Sequence, residues 1–97
     1  MISLSHDQIH IVRTIVSASL PDTEIYVFGS RADGTAKKHS DLDLILKRHG
    51  KIDQKTMNSL ILAFSESNLP FRVDVLDWHA SNKEFRKLIE PQLTLLP

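Results

Sequence analysis

The chain predicts an α/β (α+β) fold in which helices flank a small three-stranded mixed sheet, in the order α-β-α-β-α-β-α. Three observations carry that prediction. Apolar residues recur at three- and four-residue spacing over residues 9–20 and 57–64, as on one-sided helices. Three apolar runs, at 24–28, 41–47 and 71–77, have strand length and are bounded by turn residues. Polar groups gather at the ends of those runs.

Ser5 and Gln8 form a capping-box pattern, and Ile9, Val12, Ile15, Val16 and Leu20 follow at helical spacing. The first helix therefore runs to about Ser19 and stops before Pro21. His6 and His10 sit four apart, but an Asp stands where the zinc helix H-E-x-x-H has Glu, and no third ligand follows. They read as surface histidines. Pro21-Asp22 is a turn, and Glu24–Phe28, aromatic and β-branched, is a strand expected to be buried on both faces. It ends at Gly29, where a backbone without Cβ permits close approach. Ser30 to Asp33 makes a short helical turn with its N–H groups directed back at that strand end, and Gly34 ends it.

Asp41–Lys47 is the second strand and Arg48–Lys51 a polar turn. Asp53 caps a helix whose Met57, Leu60, Ile61 and Phe64 form a core stripe, ended by Asn68 and Pro70. In the third strand, Phe71–Asp77, Phe71, Val73 and Val75 share one face and Asp74 emerges from the other. Ser81 with Glu84 reads as a second capping box, opening a helix with Phe85, Leu88 and Ile89 that Pro91 closes. Leu93, Leu95 and Leu96 form an apolar tail that packs on the domain or meets a partner, self-association included.

Ninety-seven residues are expected to make one domain, 1–97. The formal net charge is zero, so the whole chain carries no field that would draw a polyanion, and direct nucleic-acid binding is not expected. Charge is uneven all the same. Between Arg31 and Lys51 stand six basic residues against Asp33, Asp41 and Asp43. Without cysteine there is no disulfide framework, thiolate zinc site or thiol nucleophile. No apolar run approaches membrane-spanning length and no signal pattern opens the chain, so the expected location is cytoplasmic.

The chemistry concentrates between Gly29 and Asp43. Strand alternation makes Asp41 and Asp43 project together, with Leu42, Leu44 and Leu46 on the opposite face. Side-by-side carboxylates repel unless a cation sits between them, which points to a metal. Other loops fail on spacing. A P-loop needs Lys-Ser/Thr after its second glycine, where Thr35 and Ala36 stand. An EF-hand starting at Asp41 needs Gly and Glu where Leu46 and Ile52 stand. Asp-x-Asp alone would read as a turn and a solvent-facing strand residue.

The whole constellation reads differently. Gly29-Ser30, a ten-residue spacer (31–40), Asp41-x-Asp43 and a later strand-borne Asp74 resemble the signature of the DNA polymerase β-type nucleotidyltransferases. The likeness is greatest to the minimal nucleotidyltransferase family, and it extends to Phe85-Arg-Lys-Leu-Ile-Glu90, similar to that family's closing helix.

The resemblance implies a Mg²⁺-dependent enzyme that moves AMP from ATP to a hydroxyl. Asp41 and Asp43 would ligate two Mg²⁺ ions, and Asp74 would hold the metal on the nucleophile's side and help take the hydroxyl proton. Gly29 and Ser30 would bind the outgoing pyrophosphate, with Arg31 either a phosphate contact or a surface charge. Asp77 is the rival for the third carboxylate, on the opposite strand face. Lys37, Lys38 and His39 read as solvated loop, and Trp78 as packing.

The family's usual partner is a HEPN-domain toxin, which implies adenylylation of a partner tyrosine by an antitoxin. The alternative is a non-catalytic antitoxin or scaffold that neutralises the partner by contact. The intact Gly29, Ser30, Asp41, Asp43 and Asp74 argue for catalysis.

Overall fold

The computed structural model describes residues 2–97. Helix α1, His6–Ser19, starts on the expected capping box: Ser5 Oγ accepts from Gln8 N at 3.1 Å and Gln8 Oε1 accepts from Ser5 N at 2.9 Å. Strand β1, Glu24–Phe28, runs into the one-turn helix α2, Ser30–Asp33. Strand β2, Leu42–Lys47, leads through a turn to α3, Gln54–Ser65, where Asp53 is the cap and accepts from Thr56 N at 3.1 Å. Strand β3, Val73–Asp77, is followed by a 3₁₀ turn, Trp78–Ala80, and helix α4, Lys83–Ile89. A second 3₁₀ turn, Glu90–Gln92, precedes β4, Thr94–Leu95.

The sheet is mixed, in the order β3-β2-β1-β4, with β2–β3 parallel and the other pairs antiparallel. It therefore has four strands where three were expected. The apolar tail supplies the fourth: Leu95 and Thr94 pair with Tyr26 and Val27, and Leu96 N donates to Ile25 O at 2.8 Å. Two residues are too few to show a period. The free edge of β1 selects them, and burial of Leu96 holds them.

Alternation sorts the sheet into two faces. Ile25, Val27, Leu42, Leu44, Leu46 and Val75 bury one face against Val12 and Val16 of α1 and Leu60 and Phe64 of α3. Each fully buried leucine contributes roughly 1.5–3 kcal/mol by removal from water. The opposite face carries Tyr26 and Phe28 of β1, Asp43 and Ile45 of β2, and Asp74 and Leu76 of β3. Phe85 of α4 meets Phe28 there edge-on, with ring centroids 6.2 Å apart. Tyr26 and Phe28 stay half-buried, so β1 is not closed on both faces as expected.

Further expectations shift. The cap of α4 is Asn82, which accepts from Phe85 N at 2.8 Å, and not Ser81. Ser81 Oγ instead donates to Asp77 O at 2.9 Å, closing the 3₁₀ turn that delays the helix. Leu88 is 68% exposed and Ile61 49% exposed, so neither is core. β3 begins at Val73 because Phe71 turns aside to stack under Arg31.

Candidate active site

Register brings two of the three expected carboxylates side by side. On the polar face Phe28 of β1 pairs with Asp43 of β2, and Asp43 pairs with Asp74 of β3, one row across three strands. Asp41 stands two residues before Asp43 at the exposed mouth of β2. Parallel pairing of β2 and β3 is what aligns Asp43 with Asp74, and Leu42 N to Arg72 O, 2.9 Å, continues that ladder.

Gly29 closes the row on the β1 side. Its φ of 74° and ψ of −154° lie where glycine alone is at ease. A Cβ built there would stand 2.5 Å from Asp43 Oδ2, so backbone and carboxylate share a space that no side chain can enter. Ser30 opens α2 directly after it, and Gly29 O accepts from Ala32 N and Asp33 N at 3.0 and 3.1 Å. Strand end, glycine corner and carboxylates therefore meet at one place.

The electrostatics follow from the crowding. Burial pushes the Asp43 carboxyl up from its usual range, and the charges of Asp74 and then Asp41 push it further, while Arg72 opposes them. Asp74 Oδ1 accepts from Arg72 Nε and Nη2 at 3.2 and 3.0 Å. Among the described residues no three acidic or histidine side chains are gathered into a ready-made metal-binding group. The donor set still fits a hard divalent cation, since all the candidate ligands are carboxylate oxygens and Asp43 is held among like charges.

Asp77 is committed elsewhere. It is buried, its Oδ2 accepts from Ile52 N at 2.7 Å and its Oδ1 from His79 N at 3.0 Å. It ties the turn before α3 to the 3₁₀ turn after β3.

Arg31, expected as a phosphate contact or a surface charge, is neither exposed nor free: it is buried, with its guanidinium turned into the loop. Nε donates to Ser40 O at 3.0 Å, Nη1 to Ser3 O at 2.8 Å, and Nη2 to Lys38 O and Lys37 O at 3.2 and 3.4 Å. Its Cζ lies 3.9 Å from the Phe71 ring centroid. The difference has a physical reason: three carbonyls of the loop and that of Ser3 converge at this point, and the arginine fork serves all four. Arg31 thereby joins the Gly29 corner, the residue preceding Asp41, and the approach to β3. Lys37, Lys38 and His39 are exposed, as expected.

A cavity of about 830 Å³ lies along β3, with Phe28, Asp43, Arg72, Asp74, Leu76 and Phe85 on the carboxylate face. Sequence reasoning missed Arg72, although alternation puts it on the face of Asp74 two residues on. It missed Phe85 for a better reason, because nothing local signals that α4 folds over Phe28. Trp78 is half-buried, with Lys47 Nζ and Arg86 Cζ 5.2 and 5.3 Å from its ring centroid. That is rim packing.

The family model described as polymerase beta, nucleotidyltransferase, matches residues 21–96, which include Gly29, Ser30 and the three carboxylates. Among curated proteins the chain is similar to "Probable protein adenylyltransferase MntA" of Haemophilus influenzae, 42% identical over 88 residues, which are 91% of this chain and 77% of that protein. Its fold is similar to a chain in a solved structure described as "Crystal structure of the toxin-antitoxin with AMP-PNP", with TM-score 0.78 and 22% identity, covering 92% of this chain and 72% of that one. It is also similar to a chain in the complex of a tri-AMPylated Shewanella oneidensis HEPN toxin with MNT antitoxin, with TM-score 0.69, 19% identity and coverage of 92% and 68%. The structural likeness carries the fold, and the sequence matches run through the glycine corner and the acidic row. The chain belongs to the polymerase beta nucleotidyltransferase family.

Proposed function

We propose that this protein transfers AMP from ATP to a tyrosine hydroxyl of a HEPN-type toxin and so acts as the antitoxin of the pair. The observation that carries the reading is the row in which Asp43 lies against Gly29 on one side and in register with Asp74 on the other. Similarity to a protein adenylyltransferase and to MNT antitoxin chains supports the acceptor and the partner.

Asp41 and Asp43 would hold Mg²⁺, one ion or two, with Asp74 joining them on the acceptor side. When bound, Mg²⁺ supplies charge neutralisation to the triphosphate and to the oxygens that gain charge during transfer. Backbone N–H groups at Gly29 and Ser30, with the Ser30 hydroxyl, orient the β- and γ-phosphates at the strand end. Asp74 accepts the proton from the acceptor hydroxyl. The hydroxyl oxygen then forms its bond to the α-phosphorus as the bond to the bridging oxygen breaks, and pyrophosphate departs with that electron pair. Phe28, Leu76 and Phe85 give the cavity apolar walls beside the carboxylates.

Incubation with α-labelled ATP, Mg²⁺ and the HEPN partner tests the proposal. Label on the partner, lost in Asp43→Asn and Asp41→Asn, supports it. Full neutralisation of the toxin by those variants with no label transferred would instead support the contact-only antitoxin.

A further inference from the structure

Arg72 and Asp74 form the one side-chain ion pair found among the described residues, and it falls within the acidic row. Nε and Nη2 both donate to a single oxygen, Asp74 Oδ1, at 3.2 and 3.0 Å. The arginine is 74% exposed and the aspartate 39%. An exposed pair like this is weak and exchanges readily. Among the described residues, Arg72 is also the only cation lining the cavity that holds Asp43, Asp74 and Phe85.

Its situation contrasts with that of Arg31. Arg31 is buried, with four carbonyl partners fixing it in place. Arg72 has one partner, and that partner is a carboxylate which a divalent cation would also claim. A cation that takes Asp74 Oδ1 displaces the guanidinium, because both Arg72 donors rest on that one oxygen. A displaced guanidinium at this position faces the cavity, and its planar fork matches phosphate oxygens as well as carboxylate oxygens.

We propose that Arg72 exchanges partners during the reaction, holding Asp74 as a resident counter-cation and passing to the phosphates of the bound nucleoside triphosphate when a divalent cation takes the carboxylates. This rests on the function proposed above. The arrangement offsets one negative charge of the acidic row before substrate arrives and places a phosphate ligand within reach once it does.

Calorimetry with Mg²⁺ alone and then with ATP plus Mg²⁺, on wild type, Arg72→Gln and Arg72→Lys, tests the exchange. Circular dichroism first establishes that the variants fold, as the exposure of Arg72 leads one to expect. Arg72→Gln is expected to bind Mg²⁺ alone more tightly, because no internal cation competes for Asp74. The same variant is expected to bind ATP plus Mg²⁺ about tenfold or more weakly, the scale of one lost charge-assisted contact. The loss should appear in the KM for ATP more than in kcat, with partial recovery in Arg72→Lys. Unchanged Mg²⁺ affinity overturns the counter-cation half, and unchanged ATP affinity overturns the transfer to phosphate. A wild type that binds Mg²⁺ and ATP but labels no acceptor overturns the proposed function, while the calorimetric comparison still decides the role of Arg72.

Discussion

Gly29 and Asp43 occupy one another's space: a Cβ on the glycine would stand 2.5 Å from Asp43 Oδ2. Gly29→Ala therefore strains a backbone at φ 74° and also drives the carboxylate off its row. The strain should lower stability by about 1–3 kcal/mol. The displaced carboxylate should lower transfer by about 100-fold, the usual cost of a misplacement near 1 Å. Gly34→Ala is the control, since its φ is 86° but nothing lies within 4 Å of the added Cβ. It should lose stability and keep its transfer rate, as urea unfolding and a label-transfer assay would report.

Asp43 gives the protein a pH-dependent stability of predictable sign. Its carboxyl is raised by burial and by Asp74 and Asp41, so the folded protein holds that proton more firmly than the unfolded chain does. Stability from this group is greatest at low pH. It declines as pH climbs from the ordinary aspartate value, about 3.9, through the raised one, and stays lower above it. Asp43→Asn should thus melt higher than wild type at pH 7, with the difference closing toward pH ~4. Thermal melts followed by circular dichroism across that range check it, and a variant melting lower at pH 7 would contradict the assigned repulsion.

Mg²⁺ should relieve the same repulsion. Ligand that binds only the folded state raises its melting temperature by mass action. Added Mg²⁺ is expected to raise the wild-type melting temperature, EDTA to reverse the rise, and Asp41→Asn with Asp43→Asn to abolish it. Equal shifts in wild type and the double variant would show that the ion acts elsewhere.

Arg31 links the loop before Asp41 to the glycine corner and to Phe71. Arg31→Met removes the donor to Ser40 O, Ser3 O and Lys38 O and should cost about 3 kcal/mol in urea unfolding. Arg31→Lys keeps the charge but cannot serve four carbonyls with three donors, so it should lie between.

The fourth strand rests on Leu96, buried at 5% exposure, and on its bond to Ile25 O. Leu96→Ala should cost about 2–5 kcal/mol. Leu95→Ala, at a position 56% exposed, should change stability by less than about 0.5 kcal/mol. Comparable losses at both positions would contradict the pairing.

How much of this was legible in the chain depends on how local each signal is. Caps at Ser5 and Asp53, the alternation of Leu42, Leu44 and Leu46, and the glycine before Ser30 are all decided within a few residues, and the structure has them where the periodicity puts them. The facing of Asp74 was also local, but its alignment with Asp43 needed the register of a parallel pair. Arg31 misled because an arginine after Gly-Ser looks the same in sequence whether it reaches a phosphate or four carbonyls. β4 and the Phe28–Phe85 contact depend on segments far apart in the chain, which no window of ten residues contains.

The most direct test of the central claim is transfer of label from α-labelled ATP to a HEPN partner in the presence of Mg²⁺, by wild type and by Asp43→Asn. The acidic row predicts labelled partner with wild type and a loss of about 100-fold or more in the variant. Equal labelling by both proteins would contradict it.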